Sequence, residues 1–150
     1  MRFKALIYAS VIALLFAASC DFGDMRSICM TIDGEVYTAE NARIAVSQIG
    51  SESYHIFLST KRPEVRIAWE ADSKDPESWR GKIFRVKNFA ASFDKLRLSH
   101  ADSDVGMIIE ITDIDGPFVS GKFSGWVGVG AGTHQISNGS FRAPATFWKR

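Results

Sequence analysis

Two aspartate pairs are the residues of this sequence whose type and spacing are most like those of a metal-binding site. Asp102-Ser103-Asp104 and Asp113-Ile114-Asp115 flank one predicted strand, so the pairs should lie at its opposite ends. Hard cations need several converging oxygen ligands, but neither pair continues into an EF-hand loop and Asp is common in turns for conformational reasons. Cation binding is therefore left open for four residues: Asp102, Asp104, Asp113 and Asp115.

The histidines do not form a metal-binding or catalytic pattern. His55, His100 and His134 lie far from one another and from Cys29 along the chain, which is not the spacing of a zinc site. The chain also lacks the nucleophile-elbow, P-loop, dinucleotide-binding and zinc-protease motifs. We therefore expect a protein that is not an enzyme, with no catalytic residues, no metal centre and no cofactor.

Cys29 lies in a strand-like run, Ser27 to Ile32, with no adjacent basic residue to activate its thiol. That context predicts a small hydrophobic residue in a core strand. The only other cysteine is Cys20. If Cys20 is modified, Cys29 has no partner in the chain, so we expect a free thiol and no disulfide framework.

The N-terminus has the organisation of an export signal. Arg2 and Lys4 precede an apolar run from Ala5 to Ala18, and these 14 residues are fewer than the roughly 20 of a permanent membrane helix. The following Ala17-Ala18-Ser19-Cys20 resembles the lipobox of bacterial lipoproteins, although that family usually has Leu where Ala17 stands. The alternative is ordinary secretory cleavage beside a chance cysteine.

The lipobox resemblance implies a membrane-bound protein that faces the periplasm. Residues 1–19 would be removed as a signal peptide, and Cys20 would carry a diacylglyceryl group and further acyl chains such as palmitate. Several chains are needed because a single chain binds a bilayer only marginally. Asp21 after the cysteine resembles the signal for inner-membrane retention, which favours that membrane and leaves the outer membrane as the alternative.

The mature chain is predicted to be one globular domain without a nucleic-acid partner. Removal of Arg2 and Lys4 with residues 1–19 leaves 16 basic against 17 acidic residues, so no basic excess attracts nucleic acid. We divide the chain into the signal peptide at 1–19, a polar tether at 20–26 and a single β domain at 27–150.

Hydrophobic residues after Cys29 alternate with a period of two, the pattern of half-buried strands. Asp33-Gly34 and Asp115-Gly116 are hairpin turn signals, and the segment from Asp75 to Gly81 has the start and stop residues of a single helical turn. Ile136 and Phe141 have opposite parity, which a bulge at Gly139 would correct. About eight to ten strands are expected, in an antiparallel sandwich or small barrel.

Three segments resemble an uncharacterised family of small all-β bacterial lipoprotein domains. These are the opening run at 30–39, the strand at 119–125 and the closing run at 136–141. The resemblance implies an all-β fold behind a lipobox. It brings no activity and no functional residues to this chain.

Two functions are consistent with these features. The first is a lipid-anchored binding or accessory module of the cell envelope, whose partners are the membrane, through Cys20, and an envelope protein. The second is a periplasmic carrier that holds a small apolar ligand or lipid inside a barrel. Trp79, Trp126 and Trp148 fall at loop or strand-end positions, where tryptophan either caps a core or binds a partner.

Overall fold

The computed structural model describes residues 26–100, 104–129 and 132–147. The described chain is all-β, as predicted, with ten strands and one turn of 3-10 helix at Pro76–Trp79. The strands are β1 (Ser27–Ile32), β2 (Glu35–Glu40), β3 (Arg43–Gln48), β4 (Tyr54–Lys61), β5 (Glu64–Ala71), β6 (Ile83–Phe93), β7 (Leu96–His100), β8 (Val105–Asp115), β9 (Phe118–Val129) and β10 (Gly132–Phe147).

Seven of these strands form a closed barrel. Their order is β10-β3-β4-β5-β6-β8-β9, and β9 pairs with β10 to complete the ring. The β1–β2 hairpin extends the sheet from the middle of β10, and β7 pairs with the end of β6. All neighbouring strands are antiparallel except β10 and β3, which are parallel. Of the two predicted architectures, the closed barrel is the one adopted.

The long strand β10 has the predicted bulge. Its pairing with β9 shifts register between Ile136 and Gly139, and Asn138 has a φ of 50°. The extra residues bring Ile136 and Phe141 to the same side of the sheet, where both are buried. The bulge therefore restores the inward alternation that a regular strand would lose.

The first predicted hairpin turn lies at the predicted residues, and the second lies one residue later than predicted. Asp33 and Gly34 have φ values of 50° and 88°, the type I′ turn that this dipeptide predicts. In the second hairpin Asp115 pairs with Phe118, so the loop is Gly116-Pro117, one residue later than expected. Of the two loop residues, only Gly116 has positive φ, which glycine adopts readily. Pro117 lies in the loop, where its missing amide N–H costs no hydrogen bond between the strands.

The predicted single turn at Asp75 to Gly81 is also confirmed. The Asp75 carboxylate accepts a hydrogen bond from the Glu77 amide at 3.1 Å, and Gly81 has a φ of 74°. The turn places Trp79 in the core, fully buried, with its indole N–H donating to the Ser73 carbonyl at 2.9 Å. Trp79 therefore serves the core and not a binding surface.

Large side chains fill the barrel interior. Buried positions alternate along β3, β4 and most of β8, and Trp69, Phe89, Phe123 and Phe141 are at most 2% exposed. Their neighbours are aliphatic residues of β3, β4, β5 and β8 that belong to the same core. Within the described chain, no helix has the length and apolar character needed to cross a membrane.

Candidate functional site

The outer edge of β2 is an unpaired strand edge. Among the described strands, β2 pairs with β1 alone. A two-residue hairpin makes Ile32 and Glu35 a hydrogen-bonded pair, and such pairs recur at every second residue. The amides and carbonyls of Val36 and Thr38 consequently point away from β1. The Asp33 amide, which donates to the Gln135 carbonyl on the β10 side, confirms the direction of this alternation.

This edge opens onto a groove of about 800 Å³, which we call the β2 groove. One wall is β2 itself, from Glu35 to Thr38. The opposite wall is formed by two hairpin tips, Lys61–Glu64 between β4 and β5, and Ser92–Lys95 between β6 and β7. Because three separate hairpins meet here, the groove exists only once the barrel has closed.

An aromatic pair bridges the groove. The rings of Tyr37 and Phe93 lie 4.6 Å apart, between their centroids, at an interplanar angle of 41°. The Tyr37 hydroxyl donates a hydrogen bond to the Glu35 carboxylate at 2.9 Å, and this bond raises the pKa of Tyr37 above its usual value. The phenol is therefore neutral at physiological pH and offers an apolar ring with a polar tip.

The charges around the groove are balanced. Three acidic side chains and three basic side chains line it: Glu35, Glu64, Asp94, Lys61, Arg62 and Lys95. Glu64 also lies against the Arg66 guanidinium at 3.4 Å. A balanced lining does not concentrate one sign of charge, so the groove suits an uncharged or mixed-charge ligand better than a polyanion.

The turn that begins β2 is attached to β10 by Asp33. Its carboxylate accepts hydrogen bonds from the Gln135 amide at 2.9 Å and from the ring of His134. The Gln135 bond, and then that of His134, lower the pKa of Asp33 below its ordinary value. Together with the Asp33 amide bond to Gln135, these contacts hold the hairpin against the barrel and so position the β2 edge.

Two of the four predicted aspartates, Asp113 and Asp115, are engaged in separate ion pairs. Asp104 lies just before β8, while Asp113 and Asp115 lie at the other end of that strand. Asp113 contacts Arg80 at 3.2 Å and Asp115 contacts Arg142 at 3.6 Å. Asp102 lies outside the described residues, among which no group of three potential metal ligands occurs.

The three histidines lie on different strands, His55 on β4, His100 on β7 and His134 on β10. His55 is at the surface, 3.1 Å from Glu70 on the neighbouring strand. His100 has a buried Nε2 without a hydrogen-bond partner. The contact of His134 with Asp33 was not predicted. It joins residues 101 positions apart, and no local pattern signals such a pairing.

Cys29 has the predicted position but not the predicted bonding state. Cys29 is fully buried in a core strand, as predicted. It is, however, disulfide-bonded and not a free thiol. The expectation of a free thiol was wrong because it assumed that the Cys20 sulfur carries lipid and so cannot form a disulfide. Cys20 itself lies outside the described residues, as does Trp148.

Comparison with known proteins gives no relative from which a function could be carried over: no family model, no curated protein and no solved structure matches this chain.

Proposed function

We propose that this protein is a lipid-anchored, non-enzymatic binding module of the cell envelope that holds an extended segment of another protein along β2. The observation that carries the proposal is the unpaired edge at Val36 and Thr38, which faces the β2 groove. An added strand would take up the outward amides and carbonyls, and main-chain hydrogen bonds of this kind supply affinity with little demand on sequence. The Tyr37–Phe93 pair would contact the added side chains.

Acidic residues stand at both ends of β2, Glu35 and Glu40. Opposite charges on neighbouring strands stabilise a strand pair, so β2 favours a partner strand with basic ends.

The packed interior favours binding at the surface over the carrier function. An eight-stranded barrel can hold one small ligand when side chains leave it room. Here the seven-stranded barrel encloses aromatic side chains such as Trp69, Phe89 and Phe141, each at most 2% exposed. A ligand inside would have to displace them.

The lipid anchor is proposed from the lipobox and the cysteine that follows it. The chain has only two cysteines, so a thioether on Cys20 and an intrachain disulfide at Cys29 exclude each other. The bonding state of Cys29 therefore shows whether Cys20 can carry lipid.

The anchor is tested by intact mass and thiol counting on the full chain purified from membranes. We expect a mass increase from acyl groups. Cys20→Ser should remove the acyl mass and release or stall the protein, whereas Cys29→Ser should remain acylated. A chain with no acyl mass and no thiol would overturn the anchor.

Strand addition is tested by photo-cross-linking of the full chain in cells. A photoreactive p-benzoyl-phenylalanine is placed at Val36, and at Ile49 as a control of similar exposure, 52% against 49%. Position 36 should capture a partner that position 49 does not. Thr38→Pro removes an outward amide, which edge strands tolerate, and should abolish the capture. Thr38→Ala loses the hydroxyl bond to the Cys29 sulfur, at 3.8 Å, as the proline variant does, but it keeps the amide and should retain the capture. Equal capture at both positions, or capture that survives Thr38→Pro in a folded protein, would refute strand addition.

A further inference from the structure

A stripe of exposed apolar side chains crosses the outside of the barrel. Ile83 on β6, Ile108 on β8 and Trp126 on β9 are 61%, 50% and 42% exposed. Ile108 lies two residues from Gly106, the partner of Trp126, and two residues from Glu110, the partner of Ile83. The three side chains are therefore diagonal neighbours on one face of adjacent strands.

The position of Trp126 is set by a glycine. A Cβ atom at Gly106 would collide with the Trp126 indole, so the ring rests directly on the β8 backbone beside Ile108. Val127 on the same strand points inward and is fully buried, which leaves Trp126 on the outer surface. A solvent-exposed indole supported in this way offers a large apolar contact area without prior rearrangement.

Basic residues lie on the same outer face. Phe118 shares the outward alternation of β9 with Lys122 and Trp126. Two guanidinium groups lie over the Phe118 ring, that of Arg142 at 4.5 Å and that of Arg26 at 5.7 Å from the centroid. The acidic residues of this face include Glu110, which pairs across the strands with Lys122, Asp113, which contacts Arg80, and Asp115, which contacts Arg142.

We propose that this outer face, from Arg26 and Phe118 to Trp126, Ile108 and Ile83, docks on an anionic phospholipid surface. The proposal rests on the lipid anchor proposed above. Arg26 follows Cys20 by six residues, a reach of at most roughly 20 Å, so the bilayer must lie close to the part of the barrel that carries Arg26. Indole and aliphatic side chains flanked by basic residues are suited to the interfacial layer of such a bilayer.

The docking face and the β2 groove are separate surfaces. In the sheet order, β2 is separated from β9 by β1 and β10, and no residue that we assign to the docking face lines the groove. Docking through β9, β8 and β6 would hold the barrel in one orientation. The β2 edge would then remain available to a partner.

The experiment is lipid-quencher fluorescence on the full chain reconstituted in phosphatidylglycerol vesicles that contain doxyl-labelled phospholipid. The Trp126 signal is the difference between the protein and its Trp126→Phe variant. We expect quenching of that signal by at least about twofold, because the indole contacts the acyl boundary. The double change Ile83→Ser with Ile108→Ser should reduce the quenching, and Ile49→Ser, at an equally exposed position elsewhere, should not.

The readouts separate failure of the anchor from failure of docking. A chain that floats with the vesicles but leaves Trp126 unquenched has its anchor and overturns the docking proposal. Protection of Trp126 from both lipid quencher and aqueous iodide would mean that protein covers the stripe, which also overturns it. If the chain carries no acyl group, it is added to phosphatidylglycerol vesicles at low salt. Quenching that disappears in neutral phosphatidylcholine then supports docking, and no quenching refutes it.

Discussion

Asp33 carries two structural roles at once. Its backbone takes a positive φ in the β1–β2 turn, a conformation that Asp tolerates better than most residues. Its carboxylate accepts hydrogen bonds from Gln135 and His134 on β10. The turn chemistry alone would make Asn an equivalent replacement. The contacts with β10 make the two residues different, because an amide has only one acceptor oxygen.

Asp33→Asn should lower the free energy of unfolding at pH 7 by about 0.5 kcal/mol, a modest loss because the pair is partly exposed. The lowered pKa of Asp33 means that its carboxylate stabilises the fold above the unfolded pKa, near 3.8, and that this stabilisation is lost as pH falls through the lower folded value. Denaturant melts at decreasing pH should therefore show the variant converging on the wild type.

The solvent-exposed acid Asp72 provides the control, since Asp72→Asn alters a side chain that is 82% exposed. It should leave stability nearly unchanged across the same pH range. A difference between wild type and Asp33→Asn that stays constant as pH falls would show that the carboxylate charge is not the cause.

The β1–β2 hairpin is the element that decides which edge the protein offers. A two-residue turn sets the register from Ile32–Glu35 onward, and that register turns the amides of Val36 and Thr38 outward. A slip of one residue would turn these groups toward β1 and move each side chain to the other face. The binding edge therefore depends on the conformation of two turn residues.

Gly34→Val tests this dependence. A Cβ at Gly34 would meet no atom within 4 Å, so the cost arises from its φ of 88° and not from a collision. We expect denaturant melts to show a loss of at least about 1 kcal/mol, because a β-branched residue strongly disfavours positive φ. Gly34→Asn, which tolerates that conformation, should lose clearly less. Equal, small losses would mean that residues 32–35 do not form a tight turn.

The whole molecule depends on close approach between β8, β9 and β10, where the barrel closes. Gly121 on β9 lies between these strands, and a Cβ there would collide with the Glu110 carbonyl and lie 2.6 Å from the Phe141 ring. Backbone cannot move aside as the end of a flexible side chain can. The absence of a side chain at Gly121 is thus a condition of closure.

Gly121→Ala should lower the free energy of unfolding by about 2 kcal/mol, the scale of overpacking in a well-packed core. The matched control is Gly50→Ala, where the nearest contact of a new Cβ would be an ordinary 3.6 Å to the Ser53 side chain. That change should stay within about 0.5 kcal/mol. Thermal and denaturant unfolding of both variants provide the measurement, and similar losses from the two would contradict the close approach.

Local patterns in the sequence were sufficient to predict most of the strands and most of the turns between them. The alternation of Val65, Ile67 and Trp69, the turn at Asp33-Gly34 and the bulge near Gly139 all appear in the structure. Each depends on the conformational preferences and burial of residues close together in the chain. Such preferences act before any distant contact forms, so they can be read from neighbouring residues.

Tertiary structure alone decided the features on which the proposed functions rest. Closure of the barrel, the pairing of β10 with both β1 and β3, and the Asp33–His134 contact join segments far apart in sequence. The same is true of the β2 groove, whose walls come from three hairpins, and of the stripe that brings Ile83, Ile108 and Trp126 onto one face. Periodicity determines which side of a strand is apolar, but not which strands become neighbours, because that choice depends on the packing of the whole chain.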